Sequence, residues 1–325
     1  MAGVDVEAGL VYWSTQTADN DGVLGGFGSG SLPRIESLGS RLFLLNLLPE
    51  LSTVPSAFKP IVAPPPRRTR ALDVGAGIGR VTSDVLLHLF SDVVLLEPAE
   101  HFILAAVARG RDTTTKPWKG IADKSKSVTF LQGTLQGFDP ARPHHAKMLD
   151  RVGYTPEHTD PLSGFDAVWC QWCLGHLDDE GLVAFLRRSQ AALRDKDRSL
   201  IVVKENLCPD AADGSAVSIL DEQDSSLTRS DRAWKKAFEA AGLTLVDEKV
   251  QDGLPEGLYV VKMRVAFLWL SRSLSPAGTR SVRDHPWPEH ITKLGRVCRS
   301  LQVFFDVHAR HLVAALVASM YTKVR

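Results

Sequence analysis

Cysteine is scarce in this chain, with four in 325 residues, at Cys170, Cys173, Cys208 and Cys298. So few thiols exclude a disulfide framework, and a reducing compartment, the cytoplasm or the nucleus, is expected. Cys170 and Cys173 form a C-x-x-C, but no second pair completes a zinc site and the pair falls in an apolar, strand-like run. They read as small core residues, and no metal is expected. An excess of charge of either sign is also missing: 38 basic and 38 acidic residues give a formal net charge of zero. Whole-molecule charge therefore does not direct the protein to nucleic acid. The balance conceals an asymmetry, because residues 271–325 are net basic and the rest is net acidic. An acidic body suits a basic substrate. No run of about 18 apolar residues exists, which excludes a spanning helix. "MAGVDVEAGLVYW" at the start lacks the basic and apolar regions of a secretory signal. His144-His145 lies in a polar, proline-bearing stretch and reads as solvated.

What is present is alternation. Short branched apolar runs at Ala71–Val74, Val93–Glu97, Val128–Gln132, Phe165–Trp169 and Ser199–Lys204 read as buried parallel strands. Leu243–Val250 and Leu258–Phe267 read as two final strands. Helical stretches fall between them: Arg80–Phe90, Phe102–Arg109, a segment opened by Asp178, Asp179 and Glu180 and closed by Arg187, Arg188 and Arg194, and Ser230–Ala241 stopped by Gly242. Ser37–Leu51 reads as an amphipathic helix ahead of a proline-rich linker, Pro60–Arg70. The expected fold is α/β: a Rossmann-like, seven-stranded, mostly parallel sheet with helices on both faces and an N-terminal helical cap. Residues 110–127 and 140–163 read as surface insertions.

"ALDVGAGIGRVT", Ala71–Thr82, carries the first chemical signal. A glycine turn between a strand and a helix aims backbone N–H groups at a ligand. The spacing here is G-x-G-x-G rather than the dinucleotide G-x-G-x-x-G, and no Lys-Ser or Lys-Thr pair follows for a phosphate loop. Asp73, just before the turn, would repel a pyrophosphate and suits a zwitterionic or cationic ligand. S-adenosylmethionine, with its sulfonium and amino-acid group, fits. Glu97, about twenty residues on, ends the second strand where a carboxylate takes ribose hydroxyls.

These residues sit among blocks that together resemble the protein α-N-terminal methyltransferases, class I enzymes acting on the exposed amine of X-Pro-Lys or X-Pro-Arg termini. The blocks are "YW" at Tyr12, "DGVLGGFG" at Asp21, "LDVGAGIGR" at Leu72, "LQGF" at Leu135, "QWCLGHL" at Gln171, "FLRR" at Phe185, "VVKEN" at Val202, "ILDEQDSS" at Ile219 and "LPEGLY" at Leu254. The resemblance implies that Gly75, Gly77 and Arg80 hold the methionine part of S-adenosylmethionine. It places Glu97 on the ribose, Leu135 and Gln136 on the adenine, and Gln171 beside the methionine. The family usually has aspartate at the position of Glu97. The resemblance also marks Trp13, Trp172, His176, Asn206, Asp221, Asp224 and Tyr259. It implies a cap over residues 1–60 that forms part of the substrate site, a methyltransferase domain over 61–270, and leaves 271–325 as an extension, a linker plus a helix.

The chemistry gives these residue types work. An α-amine with a pKa of roughly 7.7–8.0 is mostly protonated at neutral pH, so a proton acceptor is needed before it can attack a methyl group. His176, after a strand, is the first candidate and Asp224 the second, alone or together. Asn206 can hold the amine or the first carbonyl. If Asp221 and Asp224 share a helical turn, both carboxylates face one way and suit a cation at the third substrate position. Trp13, Trp172 and Tyr259 can wall a proline. Two other readings stay open: a methyltransferase of this fold acting on a small molecule or side-chain amine, and a non-catalytic binder of basic N-termini.

Overall fold

The computed structural model describes residues 3–54, 67–155 and 164–267. The chain divides into two units, Met1–Leu270 and Ser271–Arg325. The extension, most of the proline-rich linker and the end of the second expected insertion lie outside the described residues.

The first unit is built on one sheet. Its strands are β1 (Arg70–Val74), β2 (Asp92–Glu97), β3 (Ser127–Gln132), β4 (Lys147–Gly153), β5 (Ala167–Gln171), β6 (Leu200–Leu207), β9 (Thr244–Val250) and β10 (Val260–Phe267), with β7 (Ser218–Asp221) and β8 (Ser226–Arg229) forming a separate hairpin. The sheet order is β4-β3-β2-β1-β5-β6-β10-β9. β1 pairs in parallel with β2 on one side and β5 on the other, so the strand order reverses beside β1. Ligands of open α/β sheets bind in the crevice at the carboxyl ends of such strands. β10 runs antiparallel between β6 and β9.

Both faces of the sheet are covered, as its near-continuous apolar strands require. Along β5, Ala167 and Trp169 join one core with Phe43 and Leu44, whereas Val168 and Cys170 join the other with Phe185 and Trp234. The first core is closed by α3 (Leu32–Leu47), by a π-helical segment Thr82–Leu86 running into α4 (Leu87–Leu89), and by α5 (Glu100–Arg111). The second is closed by α6 (Asp179–Ala191) and α7 (Asp231–Ala240). Both begin on side-chain caps, Asp178 accepting from the Gly181 amide and Ser230 from the Ala233 amide.

The sheet has eight strands rather than the expected seven. The extra one, β4, is an antiparallel edge strand on β3 within the stretch read as an insertion at 140–163. Its mixed sequence, KMLDRVG, gives no buried-strand signal because its side chains stay exposed or half-buried. Residues 110–127 are not a pure surface insertion either, since Trp118 and Ile121 are buried in the first core. Cys170 and Cys173 are buried free thiols.

Candidate functional site

The glycine turn opens directly from β1. Gly75, Gly77 and Gly79 have φ of +62°, +55° and +76°, left-handed values that favour glycine. A Cβ on Gly75 would lie 2.4 Å from Cys173 Cβ, so the turn needs both a glycine and a small neighbour. Asp73 is buried before the turn and accepts the Thr82 hydroxyl at 2.6 Å. Burial pushes its carboxyl up to about 7 against the hydrogen bonds from Thr82. Glu97 ends β2 and ties two segments together: Oε2 accepts the Gly77 amide at 2.8 Å and Oε1 the Ala99 amide at 2.8 Å. Burial raises Glu97 to about 7 despite those two bonds.

A cleft enclosing about 960 Å³, open solvent included, lies on this turn. It is lined by every residue expected to bind the cofactor: Gly75, Gly77 and Arg80 from the turn, Glu97 from β2, Leu135 and Gln136 after β3, and Gln171 at the end of β5. α1 (Val6–Thr15), inside the expected N-terminal cap but not singled out there as a helix, covers it with Val6, Gly9, Leu10 and Trp13. The donor set fits S-adenosylmethionine. The Arg80 guanidinium can meet a carboxylate, the buried acid Glu97 can take hydroxyls, and Phe102 and Leu135 offer apolar wall for a base.

A second cleft, enclosing about 1120 Å³ with open solvent included, adjoins the first, and Trp13, Val23, Trp172 and His176 line both. It also takes in Asn206, Asp224, Tyr259, Glu205 and Leu32. Trp172 adopts φ +54°, rare for a large side chain, with its amide donated to the Lys204 carbonyl at 3.1 Å. Asn206 lies within β6 rather than beyond it. Tyr259 is 53% exposed at the rim.

Two expectations change here. Asp221 and Asp224 do not share a helical turn; they flank the tip of the β7–β8 hairpin, Asp221 ending β7 and Ser226 starting β8. A tight antiparallel reversal replaces the turn because Ser225 takes φ +54°. Asp224 lines the second cleft with Oδ1 accepting the Ser226 amide at 3.0 Å, whereas Asp221 is exposed and outside the lining. Both carboxylates still act on one neighbour: the Tyr12 phenol is raised first by burial, then by the charges of Asp224 and Asp221.

The other concerns His176. Its Nε2 accepts the Trp13 indole N–H at 2.9 Å, and its ring also bonds the Ser225 backbone. With Nε2 accepting, the neutral ring carries its proton on Nδ1, and the Ser225 backbone favours the protonated ring. Burial holds its pKa below the usual histidine range, against the pull of Asp224. Its Nε2 lone pair is thus engaged by protein in this arrangement.

Several residues in and behind the clefts were not among the expected site residues. Glu36 on α3 is fully buried and pairs with Arg80, Lys204 Nζ at 3.0 Å and Gln171 Nε2 at 3.0 Å. Glu205 accepts the Cys173 and Leu174 amides at 2.9 and 3.0 Å. Arg229, buried in β8, donates to the Leu174 and Leu177 carbonyls at 3.2 and 2.6 Å. Together the last two fix the one-turn segment Leu174–His176. Only the adjacency of Lys204 and Glu205 to Asn206 hinted at any of this.

Known proteins resemble this chain in sequence and fold. The alpha N-terminal protein methyltransferase 1 of Arabidopsis thaliana is 35% identical over 256 residues, 78% of this chain and 76% of that protein. The N-terminal Xaa-Pro-Lys N-methyltransferase 1 of Rattus norvegicus is 32% identical over 253 residues, 77% and 89% of the two chains. Among solved structures, a SAM-dependent methyltransferase from Leishmania major superposes with a TM-score of 0.58 at 27% identity, covering 80% of this chain and 82% of that one. The family model for AdoMet-dependent proline di-methyltransferases matches residues 4–266, from the first turn of the cap to the last strand of the sheet, and the chain belongs to that family.

Proposed function

We propose that the protein transfers methyl groups from S-adenosylmethionine to the α-amine of proteins whose exposed N-terminus reads X-Pro-Lys or X-Pro-Arg, X being Ala, Ser or Pro. The single observation that carries this reading is the joining of the two clefts at Trp13, Trp172 and His176, with a cofactor-type donor set on one side and Asp224 and Asn206 on the other. The relatives named for N-terminal Xaa-Pro-Lys methylation support the substrate class.

Bound S-adenosylmethionine supplies an electrophilic methyl group on a sulfonium. The protein must hold an uncharged amine in line with it, and most of the catalytic effect comes from that positioning. Asp224 is the better proton acceptor. Its carboxylate lines the second cleft with only Oδ1 engaged among the described residues, while His176 has its Nε2 lone pair committed to Trp13. His176 then acts as a fixed wall beside the amine, held by Trp13 and Ser225. Asn206, facing the same cleft from β6, can orient the terminus through hydrogen bonds. Trp172 and Tyr259 provide flat surface for a proline, whose rigid φ lowers the ordering cost of binding. Asp221, exposed beside the rim, adds negative potential for the third-position cation.

Mass spectrometry of a Ser-Pro-Lys peptide incubated with protein and S-adenosylmethionine tests the reading, against the same peptide acetylated at its N-terminus. Mass gains of 14 Da steps are expected on the free peptide alone. Methylation of the acetylated peptide, or of a small amine with neither peptide modified, would favour a side-chain or small-molecule methyltransferase. Peptide binding without any methylation would favour a non-catalytic binder.

A further inference from the structure

We propose that Glu36, on the cap helix α3, is a positioning residue for the amino-acid end of the cofactor, acting through Arg80 and Gln171. The proposal rests on the reading of the first cleft as an S-adenosylmethionine site. Glu36 is 0% exposed and does not line either cleft. It bridges two residues that do. Oε1 pairs with the Arg80 guanidinium, and Oε2 accepts Gln171 Nε2 at 3.0 Å. Gln171 Oε1 in turn accepts the Trp169 indole N–H at 3.2 Å, so both ends of the amide are assigned and it cannot flip. Lys204 reaches the same carboxylate at 3.0 Å and is fixed by the Glu36 carbonyl at 3.0 Å and Ser40 Oγ at 2.9 Å.

The charges argue for more than helix docking. α3 already buries Phe43 and Leu44 in the first core, and a buried ion pair adds little net stability over apolar packing. One carboxylate faces two cationic side chains, Arg80 and Lys204, both buried. Burial pulls both below their usual range, Arg80 to about 10, with Arg80 adding to the effect on Lys204. Asp84 also acts on Arg80, yet an anion arriving in the cleft still meets a guanidinium whose nearest carboxylate, Glu36, is shared with Lys204. The α-carboxylate of the cofactor has that sign, and Arg80, with five donors in a rigid fork, can serve Glu36 and a second carboxylate at once. The Trp172 ring lies 5.8 Å from both Arg80 Cζ and Lys204 Nζ, so the cluster also backs the wall shared by the two clefts.

Calorimetric titration with two ligands separates positioning from plain structural support. S-adenosylhomocysteine carries the amino-acid arm; 5′-methylthioadenosine has the same nucleoside without it. Glu36→Gln is expected to weaken S-adenosylhomocysteine by about tenfold or more, the loss of a charge-assisted hydrogen bond, and to leave the nucleoside within about twofold. Glu36→Asp keeps the charge on a shorter arm and should fall between wild type and Glu36→Gln with the same ligand selectivity. It carries the test if circular dichroism shows Glu36→Gln unfolded. Unchanged S-adenosylhomocysteine affinity, or equal losses for both ligands, would overturn the proposal while the cofactor reading stands. Wild-type protein that bound neither ligand would overturn that reading and this proposal with it.

Discussion

A carboxylate held near pKa 7 changes charge within the range where the protein works, and Glu97 is such a group. Ribose hydroxyls donate better to its ionised form, so cofactor binding should favour loss of its proton. Without ligand the proton is bound below about pH 7. S-adenosylhomocysteine affinity is therefore expected to weaken as pH falls from 8 to 6, and Glu97→Gln should flatten the profile. Titration calorimetry at the two pH values checks this; a parallel decline in the variant would show that another group is responsible. The same scale decides between the two proton acceptors. Asp224→Asn is expected to lower turnover by about a hundredfold or more with cofactor affinity unchanged, in keeping with a lost general base. Trp13→Phe removes the donor on His176 Nε2, and the imidazole should then titrate higher by NMR. Glu97 was legible because its distance from the glycine turn is a known spacing. Glu36 was not, because a lone acid in "IESLGSRLFLL" reads as a solvated helix face until tertiary contacts bring Arg80 and Lys204 onto it.

At the scale of elements, α1 is the part most exposed to perturbation. It is short, its Asp5 cap accepts the Glu7 and Ala8 amides, and the Asp5 amide is anchored to Ser225 Oγ at 2.7 Å. One face of α1 roofs the first cleft, and Gly9 packs so closely that an added Cβ would lie 3.3 Å from His176 Nδ1. Asp5→Ala should remove roughly 1 kcal/mol of capping, and hydrogen exchange of the Val6–Thr15 amides should quicken by about fivefold while core amides hold their rates. Equal exchange in the variant would mean that packing alone retains the helix. The helix escaped the sequence reading because "VEAGLVYWST" has weak amphipathic periodicity, being apolar on both the cleft side and part of the outer side. The hairpin was missed for a different reason: D-x-x-D spacing fits a helical turn as well as a four-residue reversal, and the left-handed Ser225 that settles it is not a residue type that announces itself.

For the whole molecule, the parallel centre of the sheet was legible and its rims were not. β1, β2, β5 and β6 are covered on both faces, so their sequences are mostly apolar and their few polar residues, such as Asp73 and Lys204, are buried with partners; the side chains of β4 stay exposed or half-buried and carry no such constraint. The buried centre also sets a pH dependence of stability. Asp73, Glu97 and Glu205 are each raised by burial to about 7. A native pKa above the unfolded value means the folded state holds the proton more tightly. The stability these groups lend is complete below about pH 4 and declines until about pH 7. Glu205→Gln mimics the protonated form, so urea unfolding should show the variant gaining on wild type between pH 5 and pH 8, by an amount of order a few kcal/mol. An equal stability difference at both pH values would contradict a raised Glu205.

The partners of Glu36 have one more consequence, for the order in which the chain can fold as it is made. Glu36 meets Lys204 across 168 positions of sequence. At about 5–20 residues per second, α3 emerges from the ribosome on the order of ten seconds or more before Lys204 is translated, although Arg80 follows sooner. During that interval α3 has Arg80 and the first strands at most, and lacks both Lys204 and the β6 side of the sheet. Nascent chains stalled short of β6 should accordingly leave this helix open to protease, and those extended past it should not.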